Sequence, residues 1–172
     1  WGPLNASYNL KLRNVKAYIP EYPVGTAEEC ADMIHEFVPI ARTIYALSNL
    51  KIISFGPRPQ NFLACNAPIK QLYNLDIEIE ENSELDLFEA FNNHAGDKRI
   101  PDVVKDMEAE LGAGNKKPEI LEKLAQYELT LLDWIEDHKG YRKYVTIAGK
   151  CWPAFQTQFG FVPCYVNSRL TK

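Results

Sequence analysis

The segment "KIISFGPRPQNFLACNAPIKQLYNLDIEIE", residues 51–80, has the clearest pattern of secondary structure in this sequence. It starts with a short apolar, β-rich run at 51–55, passes through a helical pattern at roughly 62–73 and ends in the alternating run "DIEIE" at 76–80. A strand, a crossover helix and a second strand form a βαβ unit, and a connection of this kind makes the two strands parallel. The segment therefore predicts a parallel sheet.

The residues that follow extend this unit. Ser83 is a suitable N-cap for a helix over 83–93, residues 94–140 have helical patterns, and "YVTIAG" at 144–149 predicts a third strand. We expect an α/β fold, a three-layer Rossmann or flavodoxin-like parallel sheet with helices on both faces. Ligands of such sheets bind beyond the carboxyl ends of the strands.

The residues that precede the unit are less regular. Residues 1–22 are interrupted by prolines, and we expect them to be irregular or extended, with "NVKAYIP" at 14–20 as an edge strand. Thr26 and Glu29 have the spacing of a capping box, which predicts a helix start. Pro39 lies inside the helical pattern that follows, so we expect a kink there.

The composition limits the classes of partner. The chain has 172 residues, of which 46 % are hydrophobic and 24 % charged, and we expect residues 1–172 to form a single α/β domain. The net charge of −4 argues against nucleic acid or an anionic membrane as a partner. Apolar runs fall short of the roughly 20 residues that span a bilayer. The chain begins at Trp1 without a methionine, and we expect it to be a piece of a longer polypeptide.

The four cysteines stand far apart and form no C-x-x-C pair, which gives weak support to a zinc site or a disulfide framework. We expect reduced thiols in a cytoplasmic protein. Cys151 and Cys164 could approach each other, so a thiol-redox pair stays open as an alternative. Cys151 as a nucleophile would need a nearby base, and the sequence places no histidine beside it.

The loop "GPRPQNF" after the first predicted strand is the first candidate for ligand binding. Pro57 and Pro59 restrict the backbone around Arg58, and a restrained guanidinium suits a carboxylate, a phosphate or a set of hydroxyls. Gln60 and Asn61 add donors and acceptors, which a polyhydroxylated ligand requires. The alternative is a rigid surface loop with Arg58 in a salt bridge.

The segment "GKCWPAFQTQ" after the third predicted strand is the second candidate. Trp152 could stack on the apolar face of a sugar ring, and Gln156 could bind hydroxyls. The alternative is that Trp152 packs in the core or at an interface. Two converging acids of "IEIEENSELD" could bind a metal, but such alternating charges are more often a solvated face, and we expect the charges of 97–139 to face solvent as well.

Two segments resemble the L-fucose/L-arabinose isomerase family: "KIISFGPRPQNFLACNAPIKQLYNLDIEIEENSELDLFEAF" and "YVTIAGKCWPAFQTQFGFVPCYVNSRL". The resemblance spans about residues 50–93 and 141–172, and it rests on the G-x-R loop and on the K-C-W-P and N-S-R motifs. It implies a metal-dependent interconversion of an aldose and a ketose. It also implies that this chain is the middle α/β domain of a three-domain subunit.

The resemblance further implies where the chemistry lies. The family holds manganese with two acids and a histidine, so we expect Mn²⁺ in the full-length parent and no metal or catalytic residue in this chain. One acid is expected just beyond Lys172 and the histidine in the C-terminal domain. The second acid would fall at Val162 or Pro163, where this sequence departs from the pattern, and Trp152 replaces a sugar-contacting glutamine that Gln156 could substitute.

Two functions from different classes follow. The first is a domain of a sugar isomerase that contributes Arg58, Gln60, Asn61, Trp152 and Gln156 to the substrate site, completed by its own C-terminal domain in a homo-oligomer. The second is a non-catalytic module that binds a sugar or another metabolite. In either case the chain alone should be inactive as an isomerase.

Overall fold

The structure, a computed structural model, describes residues 2–66 and 68–171. The chain divides into two compact units, Trp1–Tyr45 and Ala46–Lys172. The helices are α1 (Gly2–Leu12), α2 (Ala27–Leu47), α3 (Ile69–Asn74), α4 (Glu84–Asn93), α5 (Ile100–Leu111), α6 (Leu121–His138) and α7 (Cys164–Arg169). The strands are β1 (Leu50–Phe55), β2 (Glu78–Asn82) and β3 (Tyr144–Gly149).

The first unit differs from the expectation in its opening residues. The prediction of an irregular or extended segment over 1–22 is wrong for Gly2–Leu12, which form α1, and the residues at 14–20 form no strand. Leucine, alanine and lysine favour a helix here, and a proline in the first turn removes an N–H that would lack a partner in any case. None of the residues of α1 is buried, so core packing does not account for this helix.

The start of α2 agrees with the predicted capping box. The Thr26 N–H donates to Glu29 Oε2 at 2.8 Å, and the Glu29 N–H donates to Thr26 Oγ1 at 3.3 Å. Two backbone donors at the helix start are thus satisfied. The helix continues through Pro39, whose carbonyl accepts a hydrogen bond of 2.9 Å from Thr43 Oγ1. The kink at Pro39 stays a prediction.

The second unit contains a three-stranded parallel sheet with the order β2-β1-β3. The α/β fold class is confirmed, and the sheet is small. The predicted helix over 62–73 is interrupted: a 3₁₀ turn at Leu63–Cys65 precedes α3. The second strand begins two residues later than predicted, at Glu78, because Asp76 adopts a left-handed conformation with φ of +59°. The extent of the domain, residues 1–172, stays a prediction.

The core lies on one face of this sheet. In β1 the side chains of Lys51, Ile53 and Phe55 are buried, whereas Ile52 and Ser54 between them are only partly buried. This alternation follows from the two-residue repeat of a strand. The buried face belongs to one core cluster with residues of α4, α5 and α6, among them Leu87, Phe91, Met107, Leu124, Tyr127 and Leu131.

The acidic β2 is paired rather than simply solvated, so the expectation of a solvated face is wrong for two of its glutamates. Lys51 Nζ lies 3.2 Å from Glu78 Oε1 and 2.7 Å from Glu80 Oε2, and it donates to the carbonyl of His138 at 2.6 Å. Burial opposes the charged form of Lys51, but the two carboxylates raise its pKa. Arg142 is also buried and donates to Glu78 Oε2 at 3.2 Å. These contacts tie β2 to β1 and to the segment before β3.

Candidate functional site

The three strands end at the same edge of the sheet, where their loops are joined by hydrogen bonds. Phe55 is in register with Asn82 on one side and with Gly149 on the other. The Gly56 N–H donates to the Asn82 carbonyl at 2.8 Å, and the Lys150 N–H donates to the Phe55 carbonyl at 3.1 Å. The two predicted ligand-binding loops therefore start as neighbours at the carboxyl edge, where α/β sheets bind ligands.

An ion pair connects the loop after β3 to the helix after β2 across this edge. Lys150 Nζ lies 2.8 Å from Glu84 Oε2, and both side chains are largely buried. The Glu84 side chain crosses close to Gly56, whose φ of +82° favours glycine. A Cβ atom at Gly56 would lie 2.8 Å from Glu84 Cγ, which is closer than two non-bonded carbon atoms normally approach. Gly56 is therefore required both by its conformation and by the space that Glu84 occupies.

Arg58 points into a groove on the face of the sheet that is opposite the core. The groove has a volume of about 400 Å³ and is lined by Ile52, Ser54, Gly56, Arg58, Cys65, Asn66, Ile69, Leu72, Ile79, Glu81 and Ala148. The Nη1 atom of Arg58 is buried and has no hydrogen-bond partner among the described residues. The alternative of a surface salt bridge does not account for this atom, because it neither reaches solvent nor meets an acceptor.

The other predicted ligand contacts are exposed. Gln60 has a left-handed φ of +40°, and both it and Asn61 face solvent in the loop after β1. Trp152 has 49 % of its surface exposed, so it is not a core residue. Gln156 is exposed on a π-helical turn at Phe155–Phe159. The five predicted contacts thus start from one edge, but Arg58 faces the groove and the others face solvent, and their roles stay predictions.

The π-helical turn is held by an aromatic cluster that the sequence did not reveal. The rings of Phe155 and Phe159 stack with centroids 4.3 Å apart, and the Tyr127 ring meets Phe155 edge-on at 5.3 Å. Aromatic pairs of this kind contribute about 0.5–1.5 kcal/mol each beyond their buried area. Burial raises the pKa of the Tyr127 hydroxyl well above its ordinary value. The cluster fixes the backbone that carries Gln156.

A second feature that the sequence did not reveal is the environment of Arg169. Its guanidinium donates to Glu128 at 2.7 and 3.1 Å, to Asp106 at 2.7 Å and to Glu110. The expectation that the charges of 97–139 face solvent is wrong for Glu128, which is only 7 % exposed. No local signal in the sequence marks this site, because the carboxylate partners of Arg169 lie 41, 59 and 63 residues away along the chain.

One group of described residues has the composition of a metal site. Ligand atoms of His94, Asp97 and Asp133 lie within 4.8 Å of one another. Arg99 Nη2, however, lies 2.6 Å from Asp97 Oδ2 and 2.6 Å from Asp133 Oδ2. Hydrogen bonds from Arg99 lower the pKa of both carboxyl groups to about 2. A guanidinium already supplies the positive charge here, so the group is an ion-pair network and not a vacant metal site.

The four cysteines are free thiols in the described chain, and Cys65, Cys151 and Cys164 are exposed. Cys65 is the member that lines the groove of Arg58. Cys151 and Cys164 are not joined by a disulfide, and the thiol-redox alternative stays a prediction.

The fold and this edge define a parallel α/β protein with a ligand-sized groove beside the carboxyl ends of its strands. Residues 1–48 match the family model for the fucose/sulfoquinovose isomerase N-terminal domain. The match confirms the resemblance to a fucose isomerase-like family, and it falls outside residues 50–93 and 141–172, on which that resemblance was based. No curated protein and no solved structure matches the chain significantly. Within the described ranges, none of the helices combines the length and the apolar character needed to cross a membrane.

Proposed function

We propose that this chain is part of an aldose–ketose isomerase subunit, in which it forms a wall of the sugar site. The match of residues 1–48 to the isomerase N-terminal domain carries the proposal. That match ends close to the boundary between the two units at Tyr45 and Ala46. The second unit would then be the middle α/β domain, with its carboxyl edge directed at the substrate.

The exposed side chains at the edge suit a neutral polyhydroxylated substrate. The Trp152 ring offers an apolar surface on which the C–H face of a sugar can stack. Amide groups of Gln60, Asn61 and Gln156 both donate and accept hydrogen bonds, as hydroxyls require. Arg58 would contact the substrate from the groove. These residues bind and orient a sugar, but they supply no base for the transfer of a proton.

The manganese of this chemistry would be held outside this chain. At the carboxyl edge Glu84 is paired with Lys150, and Arg99 occupies the one converging group of acids and histidine in the described residues. These donors therefore do not fit a manganese ion. We expect its ligands in the C-terminal domain of the same subunit, and we expect the subunits to assemble as a homo-oligomer.

Kinetics of the subunit that contains this chain test the proposal. Trp152→Ala should raise the KM for the sugar about fivefold, since loss of an aromatic stacking surface costs about 1 kcal/mol. Tyr141→Ala is the matched control, because Tyr141 is 79 % exposed and precedes the opposite end of β3. The chain alone with Mn²⁺ should not interconvert aldose and ketose. Turnover by the chain alone, or equal kinetics of the two variants, would contradict the division of labour.

A second candidate function is a non-catalytic module that binds a sugar or another metabolite. The groove of Arg58 favours it, since this groove can bind a ligand without any catalytic group. The two functions differ in what happens to bound sugar. An isomerase subunit converts a bound aldose into its ketose, whereas a binding module leaves the sugar unchanged.

A further inference from the structure

The groove of Arg58 is built from the side of the sheet that the core does not use. The strand register puts Ile52 beside Ile79 and Ser54 beside Glu81, so these four side chains form adjacent parts of its floor. Ala148 pairs with Ser54 on the other side. The floor is thus apolar toward the middle of the strands and polar toward the carboxyl edge.

The groove contains a cationic donor whose hydrogen-bonding capacity is not met. The Nη1 atom of Arg58 is buried without a partner among the described residues. A guanidinium keeps its charge at any physiological pH and donates five N–H bonds. A buried donor without an acceptor is unfavourable, and an anionic acceptor satisfies a guanidinium better than a neutral one. An anionic ligand oxygen in the groove would remove this penalty once a shift of the guanidinium brings Nη1, which is closed to solvent in the structure, into contact with it.

The other polar groups of the groove select a different part of the ligand. Glu81 lines the groove and accepts hydrogen bonds, and Asn66 both donates and accepts. A second anionic group would be repelled by Glu81, whereas hydroxyls would be accepted. The volume of about 400 Å³ is that of a small-molecule site.

We propose that this groove binds a small hydroxylated anion, with a carboxylate or phosphate group on Arg58 and hydroxyls on Glu81 and Asn66. The proposal rests on the proposed function only in taking Arg58 as a ligand contact, and it needs no isomerisation. It adds an acidic polyol, such as a sugar acid or a sugar phosphate, to the ligands of this surface.

Calorimetric titration of the chain tests the proposal with gluconate, inorganic phosphate and the neutral polyol sorbitol. Gluconate should bind saturably and more tightly than phosphate or sorbitol. Arg58→Gln should weaken gluconate binding at least about tenfold, as expected for loss of a charge-assisted hydrogen bond, and Arg58→Lys should weaken it less. Arg13→Gln is the control, because Arg13 lies outside the groove and should leave binding unchanged.

Thiol alkylation gives an independent readout of the same groove. Saturating gluconate should slow the alkylation of Cys65, which lines the groove, and leave that of Cys164 unchanged. Peptide-level mass spectrometry separates the two sites. Equal binding of gluconate and sorbitol, equal binding of gluconate and phosphate, or wild-type binding by a folded Arg58→Gln variant would each overturn the proposal.

The outcome is separable from that of the isomerase proposal. Sugar turnover by the whole subunit without gluconate binding by the chain would overturn this inference alone. Gluconate binding that depends on Arg58, with no turnover by the subunit, would support it and overturn the isomerase proposal.

Discussion

Removal of the Arg169 side chain should destabilise the second unit far more than removal of a similar arginine at the surface. Arg169 donates to three carboxylates, and its side chain is only 14 % exposed. The side chain of Glu128 beside it, taken without its backbone, is 9 % exposed. These hydrogen bonds, led by the one to Glu128, raise the pKa of Arg169 further above its ordinary value. Arg169→Met keeps the length of the side chain and removes the charge. Glu128 would then be a buried carboxylate without a cation.

The expected loss follows from this burial. Breaking a buried ion pair by removing one partner costs about 3–5 kcal/mol of the free energy of unfolding, because the remaining charge is left without compensation. Arg99→Met is the matched control. Arg99 also bridges two carboxylates, but its side chain is 50 % exposed, so its pairs should contribute about 1 kcal/mol or less.

Urea unfolding at pH 7, followed by circular dichroism, measures both variants. The double variant Arg169→Met with Glu128→Leu should regain most of the lost stability, because a buried ion pair can be replaced by apolar side chains at little cost. Equal midpoints for Arg169→Met and Arg99→Met would refute the argument that burial of Glu128 decides the effect. A double variant no more stable than Arg169→Met would also contradict it.

Two further predictions concern the backbone at the edge and the His94 network. Gly56→Ala should cost about 1–3 kcal/mol of stability and displace Glu84. Gly140 also has a positive φ, +59°, but open space surrounds it, so Gly140→Ala should cost only about 1 kcal/mol for the unfavourable backbone conformation. Equal urea midpoints of the two variants would exclude a steric role for Glu84. Partial burial opposes the charged form of His94, but hydrogen bonds to a backbone carbonyl and to Asp133 raise its pKa above 6.5. The folded state therefore gains stability from His94 below pH 6.5 and loses it as the pH rises through the raised value. The stability advantage of the wild type over His94→Gln should be greatest near pH 5.5 and smaller at pH 8, and an advantage that grows with pH would contradict this sign.

Elements with local signals could be predicted from the amino-acid sequence alone. The apolar run at 51–55, the capping residues Thr26 and Ser83 and the strand at 144–149 all occupy their predicted places. A cap involves residues three positions apart, and a buried strand is defined by its own composition and repeat. The parallel sheet followed from these elements, because a βαβ connection leaves little freedom in strand direction.

The pairing of the charges and the direction of Arg58, by contrast, depend on contacts between distant parts of the folded chain. Lys51 and His138 are 87 residues apart in the chain, and Arg169 and Glu128 are 41 apart, so no local pattern distinguishes these groups from solvated charges. The direction of Arg58 depends on the loop after β1 and on α3, which together bound the groove. Pairings of this kind arise when a compact chain must compensate charges that packing has removed from water, and that requirement exists only once the whole unit has folded.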